Sequence, residues 1–512
     1  MILTPHRTVP VLIAGAGPAG LTTAISLARA GVACMVVDRR TERSAHPRAT
    51  GVSTRTMELL RAWGLDQEIR DVGVDAEWRL WTCETLARAA DGSGQEVGYP
   101  SHEQSAVVSP TAPACVPQDQ LEPILLRHLA SLEAAQIRLG ASVVGVEQFD
   151  GGVQAIVRDA GSGETQVVHA RHLVGADGAH SSVRDALGIG MHGPDRLAVG
   201  LSALFHAPLW ELVGAHRYGI YVVSDPAGAG VFLPAGRGDR WLYAVHAEQL
   251  PGGIDELNAL TSERIAQRIE RGAGAPLRPR VQRFGQVVFA AQLAERFRRG
   301  DVFLVGDAAH RTSPRGGTGM NTAIADGRDL GWKLAWTLRG WAAPELLDSY
   351  EAERRPLAEH NVTRSARPDG SLAEVGQELR VDLGGRIPHA WTAAGRSTLD
   401  LLGDGLTLFT APDGERRWQA AAAATSAATT HPAPPLAVRA LDAVTAAALG
   451  VRGDGALLVR PDAQPAGWFP PGDDGDDADS AAQPLHAAVA AATAAERPAT
   501  SAQSPALAAR RA

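Results

Sequence analysis

VPVLIAGAGPAG, residues 9–20, decides the fold. Its first six residues form a continuous apolar run, as expected of a strand buried on both faces. Gly15-Ala16-Gly17-Pro18-Ala19-Gly20 then reads GxGxxG, and residues 18–30 have a helical pattern that ends at Gly31. Residues 32–37 (VACMVV) predict a second buried strand, so the chain opens as a βαβ unit on a parallel sheet. Each glycine has its own task. Gly15 permits the tight turn, Gly17 lets a pyrophosphate approach the backbone, and Gly20 lets helix and strand pack closely. The helix start, with Pro18 and Ala19 in its first turn, favours an anion. Asp38 ends the second strand 23 residues after Gly15, where its carboxylate can accept from ribose hydroxyls, and Arg39 adjoins it. This combination predicts dinucleotide binding and disfavours a 2′-phosphate. It does not separate FAD from NAD.

Outward from this unit, helices are expected over 50–70 and over 116–135. Strands at 141–147 and 153–158 form a hairpin through Asp150-Gly151-Gly152, and 171–176 is another buried strand. Between about 190 and 290 the segments 197–206, 216–223, 230–234 and 241–247 alternate, as antiparallel strands with one solvated face do. A buried strand returns at 301–306, followed by a long helix over about 319–340. The nucleotide-binding domain is therefore read as discontinuous: 1–75, 100–189 and 285–365. Residues 76–99 and 190–284 are assigned to a substrate domain, and 366–400, rich in Gly, Arg and Pro, to a linker. LTLFTAP, PLAVRALD and GALLVRPD predict strands of a small α/β unit over 401–496. Residues 470–480 read as an acidic solvated loop and 497–512 as a disordered tail.

A length of 512 residues predicts two or three domains. Net charge is −8, from 49 basic and 57 acidic residues, with no block of Lys or Arg. That argues against nucleic acid and anionic membrane as partners. The apolar start is short and runs into a glycine turn, which reads as a strand and not a signal peptide. No uncharged apolar run of about 18 residues exists to span a membrane. Cys34, Cys83 and Cys115 are isolated. They suit a reducing cytoplasm and offer neither a CxxC pair nor a metal site.

Two later segments separate the cofactors. Val174-Gly175-Ala176-Asp177-Gly178-Ala179-His180-Ser181-Ser182-Val183-Arg184 is a DG fingerprint after a strand. Gly306-Asp307-Ala308-Ala309-His310 follows another, continuing as Pro314-Arg315-Gly316-Gly317-Thr318-Gly319-Met320-Asn321. Asp307 at a strand end can accept from a ribityl chain, and the glycines leave N–H groups free to face a flavin ring edge. The helix over 319–340 can aim its N-terminus at the flavin N1–C2=O locus, where negative charge builds on reduction.

With these segments the chain resembles the class A (single-component) FAD-dependent aromatic hydroxylases. Within them it is most similar to the bacterial hydroxylases that tailor aromatic polyketides in antibiotic biosynthesis. The resemblance covers about residues 8–365 and extends to Pro47-Arg48-Ala49, Pro117-Gln118, Asp329–Leu334, Leu346–Tyr350 and Glu353–Pro356. Leu457–Asp462 resembles that group's C-terminal thioredoxin-like domain, though no cysteine lies there. The resemblance implies an α/β fold: a Rossmann-like FAD-binding domain with a parallel sheet, an interleaved antiparallel-sheet substrate domain, and a small thioredoxin-like α/β domain. It implies noncovalent FAD contacted by Gly15, Gly17, Pro18, Ala19, Gly20, Asp38, Arg39, Arg48, Gln118, Asp177, Gly306, Asp307, Pro314, Gly317, Gly319, Met320 and Asn321. The resemblance implies for Asp177 a further role in the step at which NADPH meets the flavin. Asp38 stands where Glu is commoner, one carboxylate for another.

The implied reaction uses NADPH or NADH as a transient reductant, no second GxGxxG being present, and O2 as co-substrate. A flavin C4a-hydroperoxide then hydroxylates a small aromatic molecule, so no protein nucleophile is needed. For the protein's part, His206, His216, Tyr218, Tyr221, Tyr243 and His246 on the predicted sheet are candidates to bind or deprotonate a phenol. Arg48 and Arg315 are further catalytic candidates, Arg315 being either a substrate or NADPH contact or a solvent-facing loop residue. His310 reads as a structural hydrogen bond. Trp78 and Trp81 line either a core or a pocket wall. Two other functions compete: Baeyer–Villiger or antibiotic-inactivating oxygenation on the same scaffold, and a non-oxygenating flavin sensor or sequestering protein. A monomer and a homodimer are equally compatible with the sequence.

Overall fold

In the computed structural model, which describes residues 7–42, 46–429, 431–472 and 478–494, the opening apolar run is the strand Arg7–Ala14. Val11, Leu12 and Ile13 are fully buried, each contributing on the order of 1.5–3 kcal/mol by leaving water. The strand pairs in parallel with Cys34–Asp38 on one side and Thr165–Gly175 on the other. Ala135–Leu139 and Val302–Leu304 extend the parallel sheet at its two sides. Ala141–Phe149 and Gly152–Asp159 form the expected hairpin, turning at Gly151 with φ +92°, and Gly152–Asp159 runs antiparallel onto Thr165–Gly175.

The second sheet has seven strands in the order Arg280–Phe289, Ala198–His206, Arg240–His246, Gly230–Pro234, Tyr218–Val223, Glu77–Cys83, Ser93–Glu96. All pairs are antiparallel except Tyr218–Val223 with Glu77–Cys83, so the early segment enters the sheet alongside chain from far downstream. One row across it, Ala203, Tyr243, Phe232 and Tyr221, is fully buried and shares a core with Ile265 and Ile269 of the helix Ser262–Ala273. The neighbouring rows, Ser202–Ala244–Val231 and Leu204–Leu242–Leu233, face the other way, because side chains alternate along a strand.

The chain divides into two compact units: Met1–Ala335 with Asp348–Ala390, and Trp336–Leu347 with Trp391–Ala512. This corrects the reading of 366–400 as a linker. Residues up to Ala390 belong to the first unit, and Val375–Leu383 is a helix. Its polar residues are paired and not solvated: Arg364 meets Glu378 at 2.8 Å, and Arg386 meets Glu58 at 2.5 Å. Trp336–Leu347, assigned by sequence to the nucleotide domain, clusters instead with the second unit, where Trp336 Nε1 donates to the Asp404 carbonyl at 3.0 Å.

The second unit holds a four-stranded sheet, Leu436–Ala440, Leu406–Thr410, Ala456–Val459 and Pro465–Phe469 in that order. The first pair is parallel and the others antiparallel, with the helices Glu415–Ala428 and Ala478–Ala492 completing a thioredoxin-like arrangement. Pro465–Phe469 is a fourth strand beyond the three expected. Of the acidic loop 470–480, residues 473–477 lie outside the described residues, as does the tail 497–512.

Candidate functional site

The three glycines of the first turn differ in what a side chain would meet. At Gly15, with φ +112°, a Cβ would stand 2.1 Å from the Ala176 carbonyl oxygen; at Gly20 it would stand 2.0 Å from that of Gly15. At Gly17 it would meet nothing within 4 Å. Gly15 and Gly20 therefore serve packing between helix and strand ends, and Gly17 faces open space. It is also the N-cap of the helix Pro18–Arg29, with no side chain satisfying the free N–H groups there. These are the conditions for a bound anion. Asp38 Oδ2 accepts from Ala16 N at 2.7 Å and its Oδ1 from Arg40 N at 2.8 Å. Burial opposes its charge, but the bonds from Arg40 and Ala16 outweigh burial and hold the carboxyl below its ordinary range. Arg39 is exposed; the guanidinium that engages Asp38 is Arg40's, at 3.1 Å, a role the sequence reading did not assign.

Asp177 follows the strand Thr165–Gly175. Its Oδ2 accepts from the Ser182 hydroxyl and from Val183 N, both at 3.1 Å. Its Oδ1 is buried with no partner among the described residues. Arg184 ties this turn to the next, donating to the carbonyls of Ala179 and Ala308 at 3.3 Å. At Gly306, φ +60°, a Cβ would come within 3.1 Å of both Ala19 and Ala323. Asp307 beside it is open to solvent in the cleft, and no side-chain hydrogen bond to it is found among the described residues. Protein crowds it on its other sides, and this desolvation raises its carboxyl above the usual value, with His310, Arg48 and Arg311 pulling it back. His310 does not face the cleft: its Nε2 meets Asp326 Oδ2 at 2.6 Å. Asp326 also accepts from Gly306 N at 3.1 Å and from Arg354 at 2.9 Å. The pull of His310 and Arg354 overcomes burial and keeps Asp326 ionised. Asp326 and Arg354 were not legible as site residues because both are spent on protein partners.

The loop 314–319 leads into the helix Gly319–Leu338. Gly316 and Gly317 take φ +86° and +64°. Pro314 is exposed, Met320 buried, and a Cβ at Gly319 would stand 2.5 Å from Thr312 Oγ1. The Asn321 side chain is fully used by protein. It accepts from Ser53 N at 2.9 Å and donates to Gly51 O at 3.1 Å, Tyr99 OH at 3.0 Å and Gly317 O at 3.1 Å. It holds the loop in shape. Thr318 Oγ1 is buried with no partner among the described residues. Gln118 N donates to Ala49 O at 2.8 Å, while its side chain turns to Glu122 at 2.7 Å.

The substrate-sheet candidates separate by face. Tyr221 and Tyr243 are corrected to core residues. Both are fully buried; Tyr221 OH donates to His216 O at 2.5 Å and Tyr243 OH to Ala229 O at 2.7 Å. Burial pushes both phenols above their ordinary pKa, so neither is a proton acceptor near neutral pH. His206 meets Gln282 at 3.4 Å near the strand's end. His216 and Tyr218 stack on Trp81 at ring distances of 5.3 and 4.5 Å. Trp78 is buried against Tyr99 at 5.2 Å. His246 lies on the opposite face from Tyr243, edge-on to Phe289 at 4.7 Å. Burial lowers its pKa below 6.5 and nearby Arg315 lowers it further, with Glu248 opposing. On this face Leu80, Ile220, Val222, Val231, Leu233 and Ala244 are only half-buried. Ser202 in the same row reaches His46 Nε2 at 3.3 Å.

An open glycine at a helix N-terminus, two carboxylates at the ends of adjacent parallel strands, and a glycine loop opening a long helix define a flavoprotein. The orphaned Asp177 Oδ1 and Thr318 Oγ1 and the unbonded Asp307 fit a ligand rich in hydroxyls and N–H groups. The chain belongs to the FAD binding domain family, whose model matches residues 8–365. It is 34% identical over 483 residues to the aklavinone 12-hydroxylase of Streptomyces peucetius, covering 83% of this chain and 98% of that protein. It is 33% identical over 524 residues to the tetracenomycin A2 monooxygenase-dioxygenase of Streptomyces glaucescens, covering 89% of this chain and 92% of that protein. Among solved structures it is similar to a ternary complex of aklavinone-11 hydroxylase with FAD and aklavinone, with a TM-score of 0.82 and 31% identity over 96% of this chain and all of that one. The protein is thus an FAD-dependent monooxygenase.

Proposed function

We propose that the enzyme hydroxylates a phenolic, polycyclic substrate of the aromatic polyketide kind, with NAD(P)H as reductant. The overall balance is substrate, O2, NAD(P)H and a proton going to hydroxylated product, water and NAD(P)+. One observation carries this reading: the half-buried apolar face of Leu80, Ile220, Val222, Val231 and Leu233, which suits a flat apolar molecule and bears few polar groups. That two relatives act on aklavinone and tetracenomycin A2 supports it.

Bound FAD supplies the redox chemistry and the activation of O2. We assign its pyrophosphate to Gly15, Gly17, Pro18, Ala19 and Gly20, its ribose to Asp38, and its ribityl chain to Asp177 and Asp307. The ring edge goes to Gly317, Gly319 and the N-terminus of the helix Gly319–Leu338, which favours negative charge there. The apolar face keeps water from the reacting atoms. His246, held neutral at neutral pH, accepts the proton of a phenolic hydroxyl, and Arg315 stabilises the phenolate that results. A phenolate ring is more electron-rich than a phenol and takes an electrophilic oxygen more readily. A cytoplasmic location belongs to the same proposal, since buried unpaired cysteines suit a reducing compartment.

The test is a screen of aromatic polyketides for substrate-dependent NAD(P)H oxidation, with product mass and 18O tracing. One 18O atom in a new ring hydroxyl supports the reading. 18O inside a lactone ring replaces it with Baeyer–Villiger insertion, and NAD(P)H oxidation that no substrate stimulates replaces it with a non-oxygenating flavoprotein.

A further inference from the structure

The helix Val375–Leu383 belongs to the first unit and bears on the loop 314–319 through two of its carboxylates, Glu378 by way of Arg364, which lies against Gly316, and Asp382 by way of Ser53. Asp382 Oδ1 accepts from the Ser53 hydroxyl at 2.6 Å, and its Oδ2 accepts from Arg55 N at 2.9 Å. Ser53 is the N-cap of the helix Thr54–Arg61. A hydroxyl has one proton, and at 2.6 Å the carboxylate takes it in preference to Thr56 Oγ1 at 3.3 Å. Ser53 Oγ is then left with lone pairs for Thr56 N, the bond that caps the helix. From the other side, Ser53 N donates to Asn321 Oδ1, and Asn321 Nδ2 holds Gly51 O and Gly317 O. Tyr99 OH donates to Gly317 O at 2.9 Å as well. Ser53 is therefore fixed twice, through its side chain by Asp382 and through its backbone by Asn321.

We propose that Asp382 is a positioning residue for the FAD site, setting the conformation of the loop 314–319 through Ser53 and Asn321. Without its carboxylate, the Ser53 hydroxyl and Arg55 N–H lose their shared acceptor group, and the end of the segment Gly51–Ser53 is held by Asn321 and the pairing with Ala114–Cys115 alone, so it shifts more easily. Asn321 bridges that segment to Gly317, so the shift reaches the backbone at the flavin ring edge. This inference rests on the placement of FAD given above, and not on the identity of the substrate.

The experiment compares full-length Asp382→Asn, Ser53→Ala and Glu378→Gln with wild type. Glu378→Gln removes the same helix's ion pair with Arg364, which lies against Gly316, but leaves Asp382 and Ser53 intact. FAD affinity is measured by titrating apoprotein, the visible spectrum of the bound flavin is recorded, and apoprotein melting is followed by circular dichroism. We expect Asp382→Asn and Ser53→Ala to weaken FAD about tenfold and to shift the flavin absorbance bands, with Glu378→Gln lowering the melting temperature alone. Should Asp382→Asn yield no folded protein, Ser53→Ala decides. Wild-type FAD affinity and spectrum in Ser53→Ala or in a folded Asp382→Asn would overturn the proposal. So would an equal FAD effect from Glu378→Gln, which would mean that the loop responds to the helix as a whole and not through Asp382 and Ser53. A wild type that binds no FAD would instead count against the site assignment, and failure of the substrate screen alone would leave Asp382's role standing.

Discussion

Tyr243 and His246 stand three residues apart on one strand and point to opposite faces of the seven-stranded sheet. The tyrosine closes the core beneath the helix Ser262–Ala273, with Arg268 Nε donating to its hydroxyl at 3.2 Å. The histidine lies on the face of the half-buried apolar residues, where the charge of Arg315 helps lower its pKa. Two side chains of similar chemical promise thus stand in unrelated surroundings.

His246→Phe is expected to slow hydroxylation at least tenfold while leaving FAD binding and reduction by NAD(P)H near wild type, the missing oxygen appearing as H2O2. Tyr243→Phe should keep turnover and cost about 1–3 kcal/mol of stability through its two lost hydrogen bonds. Because His246 titrates below 6.5, activity should fall as pH drops through that lowered value, and the acid limb should vanish in the Phe variant. Retained product yield in His246→Phe would remove it as the base.

Gly17 and Gly15 should respond to alanine in opposite ways. Gly17→Ala meets no protein atom and sits at φ −80°, so the apoprotein should melt as wild type does, while FAD affinity falls at least tenfold. Gly15→Ala drives a Cβ against the Ala176 carbonyl at 2.1 Å with φ +112°, and soluble folded protein should be lost. Calorimetry and FAD titration of Gly17→Ala are the check; unchanged affinity would mean that no diphosphate passes there.

His172, on the strand Thr165–Gly175, gives a stability-against-pH prediction. Burial holds it neutral and lowers its pKa from 6.5 to about 4, although Asp301 lies 3.2 Å away. Above 6.5 it is neutral folded and unfolded. Below 6.5 the unfolded chain takes up the proton first, so this site's contribution is lost between 6.5 and about 4 as pH falls. Urea midpoints should decline from pH 7 to 5, and His172→Phe, beside Phe303, should flatten that decline.

The cysteines should be chemically silent. Burial pushes the Cys34 and Cys115 thiols up to about 12 and Cys83 to about 11, so little thiolate exists at pH 8. Iodoacetamide should leave the native enzyme unlabelled, and a folded Cys34/Cys83/Cys115 triple Ser variant should retain turnover. Loss of flavin reoxidation in that variant would show a redox role.

What could be read in the sequence was what depends on neighbours in the chain. The tasks of Gly15, Gly17 and Gly20 follow from a local turn, and the structure assigns the three positions the same division of packing and opening. Asp177 and Asp307 were expected at strand ends, and each lies just beyond a buried strand. Tyr221 and Tyr243 could not, since which face a strand residue takes depends on a register set by distant strands. Arg39 and Arg40 are indistinguishable by type, and only the backbone's path after Asp38 selects the second. Residues 366–400 read as a linker because they are rich in Gly, Arg and Pro; the pairings that tie Glu378, Asp382 and Arg386 to Arg364, Ser53 and Glu58 carry no signal in the local sequence.

At Gly306 a single hydrogen atom stands where the first residues of two helices meet, within 3.1 Å of Ala19 and Ala323 for any larger substituent. One helix begins at the turn proposed above for the diphosphate and the other at the loop proposed for the ring edge. The spacing of those two helices is therefore gauged by the close fit of Ala19 and Ala323 about Gly306, like the jaws of a caliper locked at one pivot. Substitutions around the substrate face can reshape what the enzyme accepts without reopening that gauge, so substrate range and cofactor fit are free to vary independently.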